Sequence, residues 1–147
     1  MNELPIHLNF IFAFLSTVGF SIYMNIPKEQ LIICSTTGAI SWIVYYLTNT
    51  TISNIAFSNF FAALVVSILS EIFARKFKKP TILFIIPGIL PLVPGLGLYN
   101  TMFYLVQGNY SMAVSKGIDT LVTSGAIALA MLVTISMLRT IKFYKKK

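Results

Sequence analysis

Charge is what this chain has least of: Asp, Glu, Lys and Arg together make up 10% of its 147 residues, and only four of these are acidic. Histidine, cysteine and tryptophan occur once each. A single cysteine, Cys34, excludes an intrachain disulfide framework and a thiolate metal cluster; inside an apolar run, it reads as a small buried or lipid-facing residue. No nucleophile has a His or Lys base at a matching position. There are no paired carboxylates, no metal-ligand spacing, and no phosphate-binding glycine motif leading to a charged residue. The expectation is therefore no catalytic residue, no metal and no cofactor. No polar stretch is long enough to house a nucleotide-binding domain, which argues against an ATP-driven pump.

What the chain has instead is apolar length, with 56% of its residues hydrophobic. A soluble domain of this size could not hide so much apolar surface, so the composition points to an all-α integral membrane protein in contact with the lipid bilayer. Spanning a hydrocarbon core of ~30 Å takes ~20 helical residues. Suitable runs fall at about 6–24, 31–48, 55–73, 81–105 and 113–138, forming one five-helix membrane domain over 1–147. The first run has no Lys or Arg before it and no small-residue cleavage pattern after it, and reads as a retained helix. Between the runs lie "NIPKEQ", "TNTTISN", "ARKFKKP" and "QGNYS", all turn-forming or polar.

The net charge of +7 does not suggest nucleic acid, because the basic residues sit between and after apolar runs rather than on one face. They read as topology signals. With five crossings, the N-terminus outside and the C-terminus inside, Lys28, Arg75, Lys76, Lys78, Lys79, Arg139, Lys142, Lys145, Lys146 and Lys147 all fall on the inner side. Were the fourth segment re-entrant, the basic tail would lie outside. Lys116 is the exception, three residues from Asp119; Glu71 and Arg75 are four apart, and both spacings permit ion pairs. Trp42, Tyr45, Tyr46, Tyr104 and Tyr110 fall toward outer ends as an aromatic belt, and His7 is a polar flank.

The fourth run contains "FIIPGILPLVPGLGLYNT", residues 84–101. Pro87, Pro91 and Pro94 cannot donate to the carbonyls of Leu83, Pro87 and Leu90, and Gly88, Gly95 and Gly97 would let the chain leave helical geometry. Unpaired backbone at membrane depth survives only when buried in protein or lining a hydrated cavity, so the stretch is expected to look inward. A break over Pro91–Gly97 would start a second half-helix at about Leu98, its amides and dipole suited to a carboxylate. Tyr99, Asn100 and Thr101 would add uncharged hydrogen-bonding groups. A proline-kinked helix whose small residues permit tight packing is the competing reading. Asn59, Ala63, Ser67 and Ser70, and likewise Gly117, Thr120, Ser124 and Ala128, form small polar stripes suited to helix packing or to lining a solute path. Asp119, Thr120, Ser124, Asn59 and Ser67 are thus secondary pathway candidates behind Pro91, Pro94, Gly95, Gly97, Tyr99, Asn100 and Thr101.

Gly19-Phe20, Asn25-x-Pro27, Gly38, Ala74-Arg75 with Pro80, and Pro91-x-x-Pro94-Gly95-x-x-x-Tyr99 occur in an order and spacing that resembles the threonine/serine exporter family. The likeness is to the small membrane-only subunit of its two-component members and covers about residues 10–140. The resemblance implies a secondary transporter exporting small amino acids such as threonine and serine, or dicarboxylates such as succinate, together with a separate larger membrane subunit in a bacterial plasma membrane. A structural or assembly subunit without solute contact, and a self-sufficient channel or higher oligomer, are the alternatives.

Overall fold

A computed structural model describes residues 5–144, with side chains described as far as Met137. Lys145, Lys146, Lys147 and the side chains of Arg139 and Lys142, which carry much of the orientation argument, lie outside the described residues. No strand occurs among the described residues. Six α-helices follow one another: α1 Ile6–Tyr23, α2 Lys28–Ile52, α3 Ile55–Phe77, α4 Ile82–Ile89, α5 Gly95–Val106 and α6 Tyr110–Tyr144, with a 3-10 turn at Leu90–Leu92 between α4 and α5. Four of them, α1, α2, α3 and α6, are each long and apolar enough to cross a membrane. Ile82–Leu92 and Gly95–Val106 meet the same test only as a pair, bent by 53° at the break.

Local chemistry explains each boundary. Asn25 adopts φ 55 after α1, and Pro27 precedes the first residue of α2; asparagine tolerates the left-handed region, and proline is preset for a helix start. Ser53 and Lys78 close α2 and α3 in left-handed geometry. Asn54 caps α3 by accepting the Phe57 amide at 3.1 Å, and Asn109 Oδ1 accepts the Met112 amide at 3.2 Å at the start of α6. Gly108 turns the chain between α5 and α6 at φ 74, where any side chain would be strained.

The packing is that of a membrane bundle: large apolar residues such as Phe12, Leu15, Ile32, Ile72, Leu121 and Leu132 point outward, while alanine, serine and threonine fill the interior. Buried hydroxyls bond one turn back, Thr17 to the Ala13 carbonyl at 2.8 Å, Thr37 to Ile33 at 2.8 Å and Thr134 to Ala130 at 3.0 Å. Each is thereby satisfied within its own helix, and the backbones are free to approach. Helix α2 packs between α1 and α3, α3 also packs on α6, and α4 lies across α2 and α3. Leu92 of the 3-10 turn is buried with Ala62, Ala63 and Val66 of α3 and Ile127 and Ala130 of α6. Helix α5 leaves this bundle and, among the described residues, packs on α6 alone.

Candidate functional site

The broken segment is held by its neighbours one carbonyl at a time. Pro87 sits inside α4 and gives no hydrogen to Leu83; the Cys34 thiol donates to that oxygen instead, at 3.5 Å. The tighter 3-10 winding passes the Leu92 amide to Ile89 rather than Gly88. The Ser41 hydroxyl lies 3.0 Å from the Gly88 oxygen and 2.7 Å from that of Gly38 in its own helix. Leu90, which Pro94 cannot serve, accepts from the Val93 amide at 3.2 Å. Pro87, Gly88 and Leu92 are buried, and Pro91 and Pro94 are half-buried.

The unwound part is shorter than the sequence suggests. Only Val93 and Pro94 lie outside helical structure, and α5 starts at Gly95 rather than near Leu98. Gly88, Gly95 and Gly97 all lie within helices, and among the described residues only Gly108 is a glycine at positive φ. The first and third of these serve close approach instead. A Cβ on Gly88 would lie 2.9 Å from Val66 Cγ1 and 3.2 Å from Thr37 Cγ2, and one on Gly97 would collide with Thr120 Oγ1. Nor does the whole stretch look inward: Leu96, Leu98 and Tyr99 are exposed in this chain, Tyr99 at 63%. Once α5 winds as a regular helix its backbone bonds are internal, so the burial demanded of bare backbone no longer applies to it.

Pro91 is the candidate that opens onto a hollow. With Asn9, Phe12, Ala13 and Ser16 of α1 and Trp42 of α2 it lines a groove of about 320 Å³. Trp42 Nε1 donates to Asn9 Oδ1 across it at 3.3 Å. The groove is mostly apolar, with the Asn9 amide and the Ser16 hydroxyl for polar contact, a pattern suited to orienting a small solute.

The other candidates divide into two places. Gly97, Thr101 and Thr120 meet where α5 packs on α6; Thr101 donates to the Gly97 carbonyl at 2.8 Å and Thr120 to that of Lys116 at 2.7 Å. Asn100 is half-buried on the same helix, and Tyr99 stacks on Phe103 with centroids 6.0 Å apart. Ser124 bonds to the Thr120 carbonyl at 2.9 Å but is exposed, as is Asp119, whose carboxylate is 3.9 Å from Lys116 Nζ. Asn59 and Ser67 are buried on α3, bonded to the Ile55 and Ala63 carbonyls at 2.9 and 2.8 Å. Gly95 has open space around its Cα. Glu71 pairs with Arg75 at 2.9 Å and accepts from Thr81 at 2.8 Å, joining the end of α3 to the start of α4.

Sequence reasoning passed over Asn9, Ser16 and Ser41, read Cys34 as a small buried or lipid-facing residue without its bond to α4, and assigned Trp42 only to an aromatic belt. A signal was present in "CSTTGAIS", where Cys34, Thr37, Gly38 and Ser41 recur at helical spacing on one face of α2. On α6 the buried seam is Ala113, Thr120, Ile127 and Thr134 with Thr123 and Ala130. That is a seven-residue repeat rather than the stripe of Gly117, Thr120, Ser124 and Ala128.

The family described as Threonine/Serine exporter, ThrE, matches residues 9–137. An uncharacterized protein of Haemophilus influenzae is 26% identical over 145 residues, a stretch covering 93% of this chain and 47% of that protein. The chain thus spans about half the length of this relative. No solved structure matches it.

Proposed function

Since the chain belongs to the threonine/serine exporter family, we propose that it works as one half of a secondary transporter that exports small carboxylate-bearing solutes, threonine and serine foremost. A separate larger membrane subunit supplies the other half, an ion gradient drives export, and the solute passes the break at Pro91–Tyr99. Membership supports the transporter class. The observation that carries the pathway is the bent pair itself: Pro91 lines the groove between α1 and α2, while α5 stands off from every helix but α6. A helix start leaves its first amides without partners inside the helix. The Gly95 amide turns back onto Val93 at 2.7 Å, and those of Leu96 and Gly97 occupy the remaining first-turn positions. Backbone amides at a positive dipole end suit the carboxylate common to amino acids and dicarboxylates.

The proposed arrangement has five crossings, N-terminus out and C-terminus in, in a bacterial plasma membrane. A bend of 53° supports crossing over re-entry, because a re-entrant loop has to reverse direction and this pair keeps advancing. A relative of about twice the length, matched over 47% of its chain, supports a transporter built from two halves of this size. The test is export by cells carrying both subunits, with threonine, serine and succinate compared, after Tyr99→Phe and Asn100→Ala. Reduced export with the complex intact is the expected result. Unchanged export of all three solutes refutes the pathway assignment and favours an assembly role, for which the exposed face of α5 would serve.

A further inference from the structure

Two donors on one face of α2 meet two of the carbonyls of α4 that its prolines and irregular winding deprive of amide partners. They are Cys34 for Leu83 and Ser41 for Gly88, and both side chains are fully buried. Seven helical residues rise about 10 Å, so the broken segment is held at two levels, below and above Pro87. We propose that Cys34 and Ser41 are positioning residues that set the shape of the break by donating side-chain hydrogens in place of the missing amides. For its consequence in export, the inference rests on the transport reading above.

The two anchors differ in kind. A thiol is a weak donor, and Cys34 donates to a carbonyl that Pro87 can never serve, so this bond accompanies α4 in any state that keeps its helix. Ser41 has one hydrogen and two acceptors within reach, Gly38 at 2.7 Å in its own helix and Gly88 at 3.0 Å across the interface. Turning the hydroxyl from one to the other frees the upper end of α4 without leaving the serine unsatisfied. The geometry makes Cys34 the fixed anchor and Ser41 the one that can let go.

Cys34 is the sole cysteine, so the S–H stretching band of the full chain in lipid vesicles reports this one thiol by infrared spectroscopy. A band below the frequency of a free thiol in apolar solvent is expected. Pro87→Ala supplies Leu83 with an amide hydrogen and should move the band to the free position. A wild-type band at the free position, or one that Pro87→Ala leaves in place, overturns the proposal. With the partner subunit present, Cys34→Ala and Ser41→Ala should each raise the KM for radiolabelled L-threonine export by about two- to tenfold, the equivalent of one net hydrogen bond. Cys34→Ser should restore it. A purely space-filling role would lower the amount of folded protein at unchanged KM, and that result overturns the positioning role. Absence of threonine, serine and succinate export from the unaltered complex refutes the transport reading instead, and the infrared band still decides whether the thiol holds α4.

Discussion

Replacing Gly88 by alanine tests the packing of the broken helix. The added Cβ would lie 2.9 Å from Val66 Cγ1 and 3.2 Å from Thr37 Cγ2, where carbon atoms prefer about 3.5–4.0 Å. Both neighbours are fully buried and β-branched, hence stiff at χ1, and the Thr37 hydroxyl is tied to the Ile33 carbonyl at 2.8 Å. Neither can turn aside, so α4 has to move away and stretch the 3.0 Å contact between Ser41 and the Gly88 carbonyl. Overpacking costs about 1–3 kcal/mol, and loss of the hydrogen bond adds about 1 kcal/mol. The helix preference for alanine over glycine returns about 1 kcal/mol. The net loss is about 2 kcal/mol, a factor of about 30 in the folded-to-unfolded ratio. Unfolding by SDS in mixed micelles, followed by the fluorescence of Trp42, the single tryptophan, measures it. Gly19→Ala is the control, because a Cβ there meets nothing within 4 Å; it should be neutral or slightly stabilising. If Gly88→Ala unfolds at the same SDS fraction as Gly19→Ala, the tight junction of α2, α3 and α4 is refuted.

Further outcomes follow from other contacts. Gly97→Ala drives a methyl group into Thr120 Oγ1 and should splay α5 from its only neighbour, α6, lowering export several-fold. Adding Thr120→Ala clears the space and should recover most of it, and failure to recover would mean that Gly97 matters for something other than close approach. At the junction of α3 and α4, Thr81→Val removes a 2.8 Å bond to Glu71 and should cost about 1 kcal/mol in the same SDS assay. Arg75→Ala breaks an exposed pair and should cost less than about 0.5 kcal/mol; the reverse order would refute this ranking. In a Cys34→Ser background, a membrane-impermeant maleimide added outside intact cells should label Ser111→Cys and not Lys78→Cys. Equal labelling of both would refute five crossings with the C-terminus inside.

Much of the architecture is legible without coordinates, because solvent sets it. Runs of apolar residues as long as a bilayer is thick have to be helices, since only helices and closed barrels satisfy the backbone in lipid. Asn-x-Pro at 25–27, "TNTTISN" and "QGNYS" mark turns through local backbone preference alone. Proline chemistry likewise shows which carbonyls of the fourth run lose their amides. The ion pairs of Glu71 with Arg75 and Lys116 with Asp119 follow from helical spacing.

The partners of those freed carbonyls, and the faces that touch, come from tertiary structure. Nothing in "FIIPGILPLVPGLGLYNT" says that Cys34 will meet Leu83 or that Ser41 will meet Gly88, contacts 49 and 47 residues apart in the chain. Nor does it say that Gly95 starts a helix rather than a loop, because glycine permits many conformations. In an interior of alanine, serine and threonine, stripes at four- and seven-residue spacing look equally plausible, and the choice on α6 is made by α3 and α5. The sequence alone determined that this chain is a helical membrane protein with its fourth span interrupted. Tertiary structure decided that the first half of that span is anchored in the bundle and the second leans on α6, because these contacts depend on which distant segments approach closely enough to accept a hydrogen, as at Leu83 and Gly88, or to leave no room for a Cβ, as at Gly97.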